Sequence, residues 1–247
     1  MKFFLLSILF ALAYAGPIQE RNDVVNYLIR YGYLEKAQLH NRQSVFHAIQ
    51  KLQKMARIPE TGIVDQATIE FTKKPRCGLP DFVNGQPRVN RDVAWDKTSL
   101  TYHIGEKTAD LTEEQYADNM KLALDTWAKY VKLNFSRVLD VQDADIVSYF
   151  GSRDHGCGVS FDGPSGVLAH AYFPQNGDIH FDNDEVWNLT GERGFDFFSV
   201  ALHELGHSIG LDHSDVPEAV MFPTYSVWTE LSQDDIDRIQ QLYPSAN

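Results

Sequence analysis

His203-Glu204-Leu205-Gly206-His207-Ser208-Ile209-Gly210-Leu211-Asp212-His213 fits the pattern H-E-x-x-H-x-x-G-x-x-H at every fixed position. Histidines four apart lie one above the other on a helix face, so His203 and His207 can share one metal ion. Glu204 projects beside that ion, where a carboxylate can take a proton from water. Gly210 permits the positive φ that breaks the helix and turns the chain back, bringing in His213 as third ligand. Three neutral imidazoles leave a fourth position open to water, the arrangement of a catalytic zinc rather than a closed structural one.

A second group of metal-type residues lies just upstream: His155 and Cys157, then His170 and His180. Two ligands at short spacing plus histidines on neighbouring strands suit a closed tetrahedral zinc, although histidines taken singly are more often surface or core residues. Interleaved with them, Phe161-Asp162-Gly163-Pro164-Ser165-Gly166-Val167 is followed by Asp182 and Glu185. Carboxylates around a glycine-rich turn suit calcium; the bland alternative is a solvated acidic loop. Farther upstream, Pro75-Arg76-Cys77-Gly78-Leu79-Pro80-Asp81 holds a thiolate-capable residue in a segment that Pro and Gly keep extended. Cys77 could occupy the fourth position on the catalytic zinc and exclude water, with Arg76 and Asp81 clamping the segment as an ion pair. The alternative is a buried structural cysteine. Met221, eight residues beyond His213, packs under the metal site in this reading.

Met1-Lys2, the apolar run from Phe3 to Leu12 and Ala13-Tyr14-Ala15 read as a basic n-region, a short h-region and an A-x-A cleavage site. This is a secretory signal peptide over residues 1–15, too short to span a bilayer, and it predicts an exported protein without a membrane anchor. Sequons at Asn134 and Asn188 are compatible with export. The net charge of −12 is unevenly split: residues 92–247 carry −18, whereas residues 16–91 carry +5. The acidic part disfavours nucleic acid as a ligand and favours multivalent cations. The opposite signs suggest that the first part docks on the second. A secreted chain with two cysteines admits a Cys77–Cys157 disulfide, but both residues also lie in metal-type contexts.

Helical periodicity at 24–31 and 45–56, with a third helix capped by Asp65, predicts a small three-helix segment. Residues 73–98, rich in Pro, Gly, Asn and charge, read as linker, and Arg88-Val89-Asn90-Arg91 offers a basic cut site. Beyond it, alternation predicts strands near 100–104, 134–139, 144–150, 167–173 and 178–182. Helices are predicted over 113–131, behind a Thr112/Gln115 capping box, over 197–209, and from Ser232 through Leu242. The fold class is α+β: a mixed, twisted five-stranded sheet with three helices, preceded by the small helical domain.

Together, the HELGHSIGLDHS run, PRCGLPD and Met221 resemble a matrix metalloproteinase proenzyme of the metzincin clan, in a short, matrilysin-like form without a hemopexin-like propeller. The resemblance spans Val24 to Pro244. It implies a signal peptide (1–15), a helical propeptide with a cysteine switch at Cys77 (16–91) and a zinc metalloproteinase catalytic domain (92–247). His203, His207 and His213 would bind catalytic zinc, with Glu204 as general base. His155, His170 and His180 match a structural zinc site, giving two Zn2+ per chain. The family has Asp where Cys157 stands, so either a His3Cys site forms or Cys157 stays free or scrambles. Asp162, Asp182 and Glu185, with the carbonyls of Gly163, Ser165 and Val167, match one Ca2+. Asp145 and Asp178 match a second, and Asp110 with Glu185 part of a third. Ser199 matches the depth of the main substrate pocket, and its small size hints at a roomy pocket that the short loop 226–230 could close. Pro223-Thr224-Tyr225 matches the pocket wall. Asp234 or Asp235 resembles the partner of the N-terminal amine freed on activation.

The function expected is secreted zinc endopeptidase action on extracellular or matrix proteins, released from latency by an activating protease and open to a proteinaceous inhibitor. An extended substrate would pair with the strand around Gly166–Ala171, with the Ala169 carbonyl near the cleft. Collagen degradation is among the activities that the resemblance brings, but a triple helix is not itself implied, because no propeller-like domain is expected to engage it. A monomer is expected. The rivals are a catalytically silent peptide-binding module and an inactive metal-binding protein; an intact Glu204 and a latency cysteine weigh against both.

Overall fold

The computed structural model describes residues 18–83, 86–87 and 92–244, so the expected leader and the basic cut site at 88–91 lie outside the described residues. The described residues form two compact units: 18–74 with 80–83 and 86–87, and 75–79 with 92–244.

The first unit holds α1 (Ile18–Arg30), α2 (Arg42–Met55) and α3 (Gln66–Thr72), with Phe82–Val83 paired antiparallel to Gln86–Pro87. Asn41 caps α2 through Gln43 N and Ser44 N, and Asp65 caps α3 through Thr68 N at 2.9 Å. Val24 and Leu28 on α1 and Ile49 and Leu52 on α2 are buried, as their spacing requires. Gln53 is buried too, and its amide is fully used. It accepts from Gly62 N at 2.8 Å, and its two N–H protons are shared among Thr61 Oγ1, Ile63 O and Thr68 Oγ1. One side chain thereby ties the turn after α2 to α3, with no buried polar atom of the amide left over.

The second unit is built on a six-stranded sheet. Its strands are β1 (Arg76–Cys77), β2 (Ser99–Ile104), β3 (Asn134–Arg137), β4 (Ile146–Gly151), β5 (Val167–Ala171) and β6 (Ile179–Asp182), in the order β1-β5-β6-β4-β2-β3. Only β5 and β6 pair antiparallel. Helices α4 (Glu113–Ala128), α5 (Phe197–Ser208) and α6 (Gln233–Leu242) complete the unit. Thr112 and Gln115 form the reciprocal capping box of α4, Thr112 N to Gln115 Oε1 at 2.9 Å and Gln115 N to Thr112 Oγ1 at 3.1 Å. The strand β2 buries Leu100, Tyr102 and Ile104 and turns the intervening residues outward. By contrast, β5 and β6 are buried at every position.

Two departures from the sequence reading have one cause. The sheet has six strands rather than five, and part of the presumed linker is ordered structure. Arg76 N, Cys77 N and Gly78 N donate to Gly166 O, Pro223 O and Ala169 O at 2.8, 3.0 and 2.8 Å. A short extended segment that satisfies three successive amides in this way becomes an edge strand. Residues 92–98 are pinned as well, Val93 N to Gly210 O at 2.9 Å and Trp95 Nε1 to Ser208 O at 2.8 Å.

The core lies between the sheet and helices α4 and α5, where Tyr116, Met120, Leu124, Trp127, Phe197, Leu202 and Leu205 are buried. Each such side chain contributes about 1.5–3 kcal/mol of transfer free energy. The polar handles are paired: Trp127 Nε1 donates to Leu202 O and the Tyr116 hydroxyl to Ser148 Oγ. The α4–α5 contact passes over Gly206, where an added Cβ would lie 2.2 Å from Met221 Sδ and 3.0 Å from Trp127 Cζ2. Gly206→Ala, although it favours helix locally, should therefore destabilise the second unit by about 1–3 kcal/mol through overpacking. Thermal denaturation checks this; an unchanged midpoint would show that Met221 and Trp127 yield freely.

Candidate metal centres and peptide cleft

The α5 helix, capped by Asp196 through Ser199 N at 2.8 Å, carries His203, Glu204 and His207 into the interior. At its end Gly210 adopts φ +112°, and a Cβ there would meet Val93 O at 2.1 Å, so both backbone conformation and space require glycine. The reversal that follows places His213 against the helix. His203, His207, His213 and Cys77 are all buried, and one ligand atom from each lies within 4.8 Å of the other three. The Nε2 atoms of His203 and His207 are 3.1 Å apart, and Cys77 Sγ is 3.6 Å from His207 Nε2. A tetrahedral ion bound at about 2.0–2.1 Å to nitrogen gives nitrogen–nitrogen edges of about 3.3 Å, so the spacing fits zinc.

The orientation is imposed from behind. His203 Nδ1 lies 2.6 Å from Val220 O and His207 Nδ1 lies 2.7 Å from Leu211 O. A carbonyl accepts only from N–H, so both rings carry their proton on Nδ1 and present an Nε2 lone pair inward. Glu204 is buried beside them, with Oε2 lacking a hydrogen-bond partner. Burial pushes its pKa up to about 8, partly offset by a hydrogen bond from the Cys77 thiol. A buried carboxyl in this state is poised for proton exchange near neutrality.

The second group also converges. Cross-strand register places His170 opposite His180, and the β4-side loop brings His155 and Cys157 onto them. His155 Nε2 and His170 Nε2 lie 3.1 and 3.0 Å from His180 Nδ1; Cys157 Sγ lies 2.9 Å from His155 Nε2 and 3.4 Å from His170 Nε2. These edges again fit a tetrahedral ion. Burial, then the neighbouring His155 charge, pushes the His180 pKa down to about 4, so the ring is neutral at pH 7 as a ligand must be. Both cysteines are free, so Cys77 and Cys157 form no disulfide.

The acidic loop folds toward Asp182 and Glu185. Val167 N donates to Asp162 Oδ1 at 3.0 Å, while Asp182 Oδ2 and Glu185 Oε1 are buried without hydrogen-bond partners. Burial, followed by repulsion from Asp182, Asp162 and Asp184, raises the Glu185 pKa to about 7 against a hydrogen bond from the Ser165 amide. Such crowding of carboxylates favours a bound cation. The carboxylates expected at the other calcium sites are otherwise engaged. Asp145 ion-pairs with Lys97 at 2.5 Å and accepts from Thr101 N at 2.8 Å, whereas Asp178 accepts from Val147 N. Asp110 accepts from Trp187 N at 2.9 Å.

Beside Glu204 a pocket is lined by Leu168, Ser199, Val200, His203, Pro223, Tyr225 and Trp228, among others. Ser199 does not leave its floor open. Its hydroxyl donates to Asp196 Oδ1 at 2.6 Å and accepts from Trp228 N at 2.8 Å, which draws the short loop across the base. The Tyr225 hydroxyl accepts from Asp196 N. The sequence reading named Ser199, Pro223 and Tyr225 but not Asp196 or Trp228; the only signal for Asp196 was its position as N-cap of α5. Ala169 and Pro223 carbonyls face each other across the Arg76–Gly78 segment, which runs parallel to β5 and forms an antiparallel bridge from Arg76 to Thr224.

A family model described as Matrixin matches residues 94–244, and another described as "Putative peptidoglycan binding domain" matches residues 19–71. This chain belongs to the matrixin family. Among curated relatives, the hatching enzyme of Paracentrotus lividus is 40% identical over 89% of this chain and 38% of its own length. Matrix metalloproteinase-20 of Homo sapiens is 37% identical over 94% of this chain and 51% of its own. Matrix metalloproteinase-2 of Drosophila melanogaster is 40% identical over 88% and 33%. The matrixin described here thus spans between a third and about half of these relatives' lengths.

Behind the three-histidine centre, Asp235 is fully buried. It accepts from Val220 N at 2.8 Å, Met221 N at 3.1 Å and Ser232 N at 2.9 Å. Asp234 instead accepts from the Ser214 hydroxyl at 2.7 Å. Asp235→Ala should leave two buried amides unsatisfied and cost about 2–4 kcal/mol. A fall in the thermal midpoint is expected; a neutral result would mean that Val220 and Met221 find other acceptors.

Proposed function

We propose that this matrixin is a zinc-dependent endopeptidase made as a latent zymogen, hydrolysing peptide bonds of extracellular proteins. The observation that carries the proposal is the placement of Glu204, a buried carboxyl with one unpartnered oxygen, beside three converging imidazoles and a pocket lined by Ser199, Pro223 and Tyr225. His203, His207 and His213 would hold catalytic zinc, which when bound supplies Lewis acidity to a carbonyl and acidifies water. Glu204 takes the proton of the attacking water and delivers it to the leaving amine. The carbonyls of Gly166 just before β5, of Ala169 on β5 and of Pro223 on the wall, now paired with residues 76–78, would receive the amides of an extended substrate. Pocket residues Ser199 and Tyr225, tied to Asp196, set its depth.

Cys77 would ligate the catalytic zinc in the latent form, within a propeptide over 16–91 that an activating protease removes from a catalytic domain over 92–247. Export would follow from the leader at 1–15. Among the described residues no helix is long and apolar enough to cross a membrane. His155, Cys157, His170 and His180 would hold a second, structural zinc. One calcium would bind Asp162, Asp182 and Glu185, with the carbonyls of Gly163, Ser165 and Val167. Asp235 is consumed by backbone amides, so Asp234 is the carboxylate available to a freed N-terminal amine.

Glu204→Gln is expected to keep its metal content and lower kcat/KM on a peptide by about 10²–10⁴-fold after propeptide removal. Cys77→Ser in the full chain should raise the activity of the unprocessed form. Full turnover by Glu204→Gln would refute the proton-transfer role, and an unchanged latent rate in Cys77→Ser would refute the switch.

Calcium should stabilise the second unit in a pH-dependent way. The folded-state pKa of Glu185, at about 7, lies above its ordinary value. Between the two pKa values the folded chain therefore binds more protons than the unfolded one, and without cation its stability falls as pH rises. A bound cation relieves the repulsion only where the carboxylates are ionised. The thermal shift produced by calcium should accordingly grow from pH 5 to pH 8; a shift that shrinks over that range would place calcium elsewhere.

A further inference from the structure

The second four-ligand cluster contains a group that the proposed catalysis does not use. Cys157 Sγ lies 2.9 Å from His155 Nε2 and 3.4 Å from His170 Nε2, closing the set that includes His180. The two cysteines of the chain differ sharply in access. Cys77 is 5% exposed and walled in by the cleft, whereas Cys157 is only half-buried. Cys157 is flanked by Gly156 and Gly158, both at positive φ, and at neither glycine would a Cβ meet any atom within 4 Å. Neither flanking residue therefore carries a side chain over the part-exposed sulfur. A thiol that ligates a metal is held as thiolate, the form that reacts with oxidants.

Resting on the reading of this cluster as a zinc centre, we propose that Cys157 is its thiolate ligand and a peroxide-sensitive modification site that controls zinc retention there. The thiolate sulfur attacks one oxygen of hydrogen peroxide. An S–O bond forms, the O–O bond breaks, hydroxide leaves, and sulfur is oxidised by two electrons to a sulfenic acid as the peroxide is reduced. The neutral sulfenic acid is a far weaker ligand than the thiolate, and three imidazoles, one of them half-exposed, remain. An added dithiol reverses the change, giving back the thiol, water and the dithiol's cyclic disulfide. The consequence reaches the cleft, because His170 follows Ala169, whose carbonyl accepts from Gly78 N at 2.8 Å. Releasing His170 and His180 from a shared ion loosens the β5 edge that receives peptide.

The test uses the full-length chain carrying Glu204→Gln, which prevents self-cleavage, alone and with Cys157→Asp or Cys77→Ser added. Zinc is counted before treatment, and its release under hydrogen peroxide is followed with a colorimetric chelator. Sulfenic acid is trapped with dimedone and located by peptide mass mapping. The expected result is release of about one zinc per chain and a dimedone adduct on Cys157. Release should persist in Cys77→Ser and vanish in Cys157→Asp, where an oxygen donor keeps the fourth position. Full retention of both zincs under peroxide, equal release from Cys157→Asp, or labelling confined to Cys77 would each overturn the proposal. A chain holding only one zinc before treatment would instead remove the second-centre reading on which it rests. Should Cys157→Asp fail to fold, the adduct site and zinc count in the parent chain decide alone.

Discussion

Two backbone carbonyls, Val220 O and Leu211 O, decide how the second unit can work. By accepting from Nδ1 of His203 and His207 they turn both Nε2 lone pairs to one point, 3.1 Å apart. Neither carbonyl is placed by α5 itself. Leu211 follows the glycine that ends the helix, and Val220 belongs to a turn held by the Asp235 carboxylate on α6. Met221 then packs on Gly206, so the turn and the helix fix each other through one sulfur contact. A metal site precise to a few tenths of an ångström needs such support, because histidine rings left to their own rotamers would not share an ion.

Much of this was legible in the residues, and the reason is periodicity. The eleven-residue histidine pattern, the Thr112/Gln115 box and the alternation in residues 100–104 encode their own local geometry, and each element appears within a few residues of its expected limits. The two four-residue ligand groups were also readable as residue types at suggestive spacings. What could not be read depends on tertiary placement. Nothing in Arg76-Cys77 looks like a strand; it becomes one only because Gly166, Ala169 and Pro223 present carbonyls across a gap of the right width. Lys97 carries no mark of a partner 48 residues away, yet its ammonium takes the Asp145 carboxylate that the family resemblance assigned to calcium. The same holds for Ser199, whose small size suggested an open pocket while its hydroxyl in fact gathers the Trp228 backbone.

In the proposed zymogen, latency and substrate binding would both use one structural resource, the edge of β5 that residues 76–78 cover. An exposed edge is a liability in a free sheet, since any extended chain can pair with it. Here the edge is covered by residues 76–78, which run parallel to β5 and bring a thiol to 3.6 Å from His207 Nε2. The covering segment is only two residues long as a strand, bound by few hydrogen bonds, and therefore easily displaced once its flanks are cut.

The electrostatics of the second unit follow the same economy. A charge of −18 over residues 92–247 opposes compaction through self-repulsion. Positive charge enters at points: Lys97 on Asp145, Arg153 on Asp184 and Arg238 on Asp92. Around the acidic loop, Asp182 Oδ2 and Glu185 Oε1 are buried carboxylate oxygens without a hydrogen-bond partner. Such a loop is stable only with protons or a divalent cation, and protons are scarce above the raised pKa of Glu185. The loop also leads directly into β5 through Val167, so whatever neutralises it steadies the strand on which peptide pairing depends. If the proposed calcium binds there, it would therefore also bear on order at the cleft, because Asp162 and Val167 are joined by one hydrogen bond.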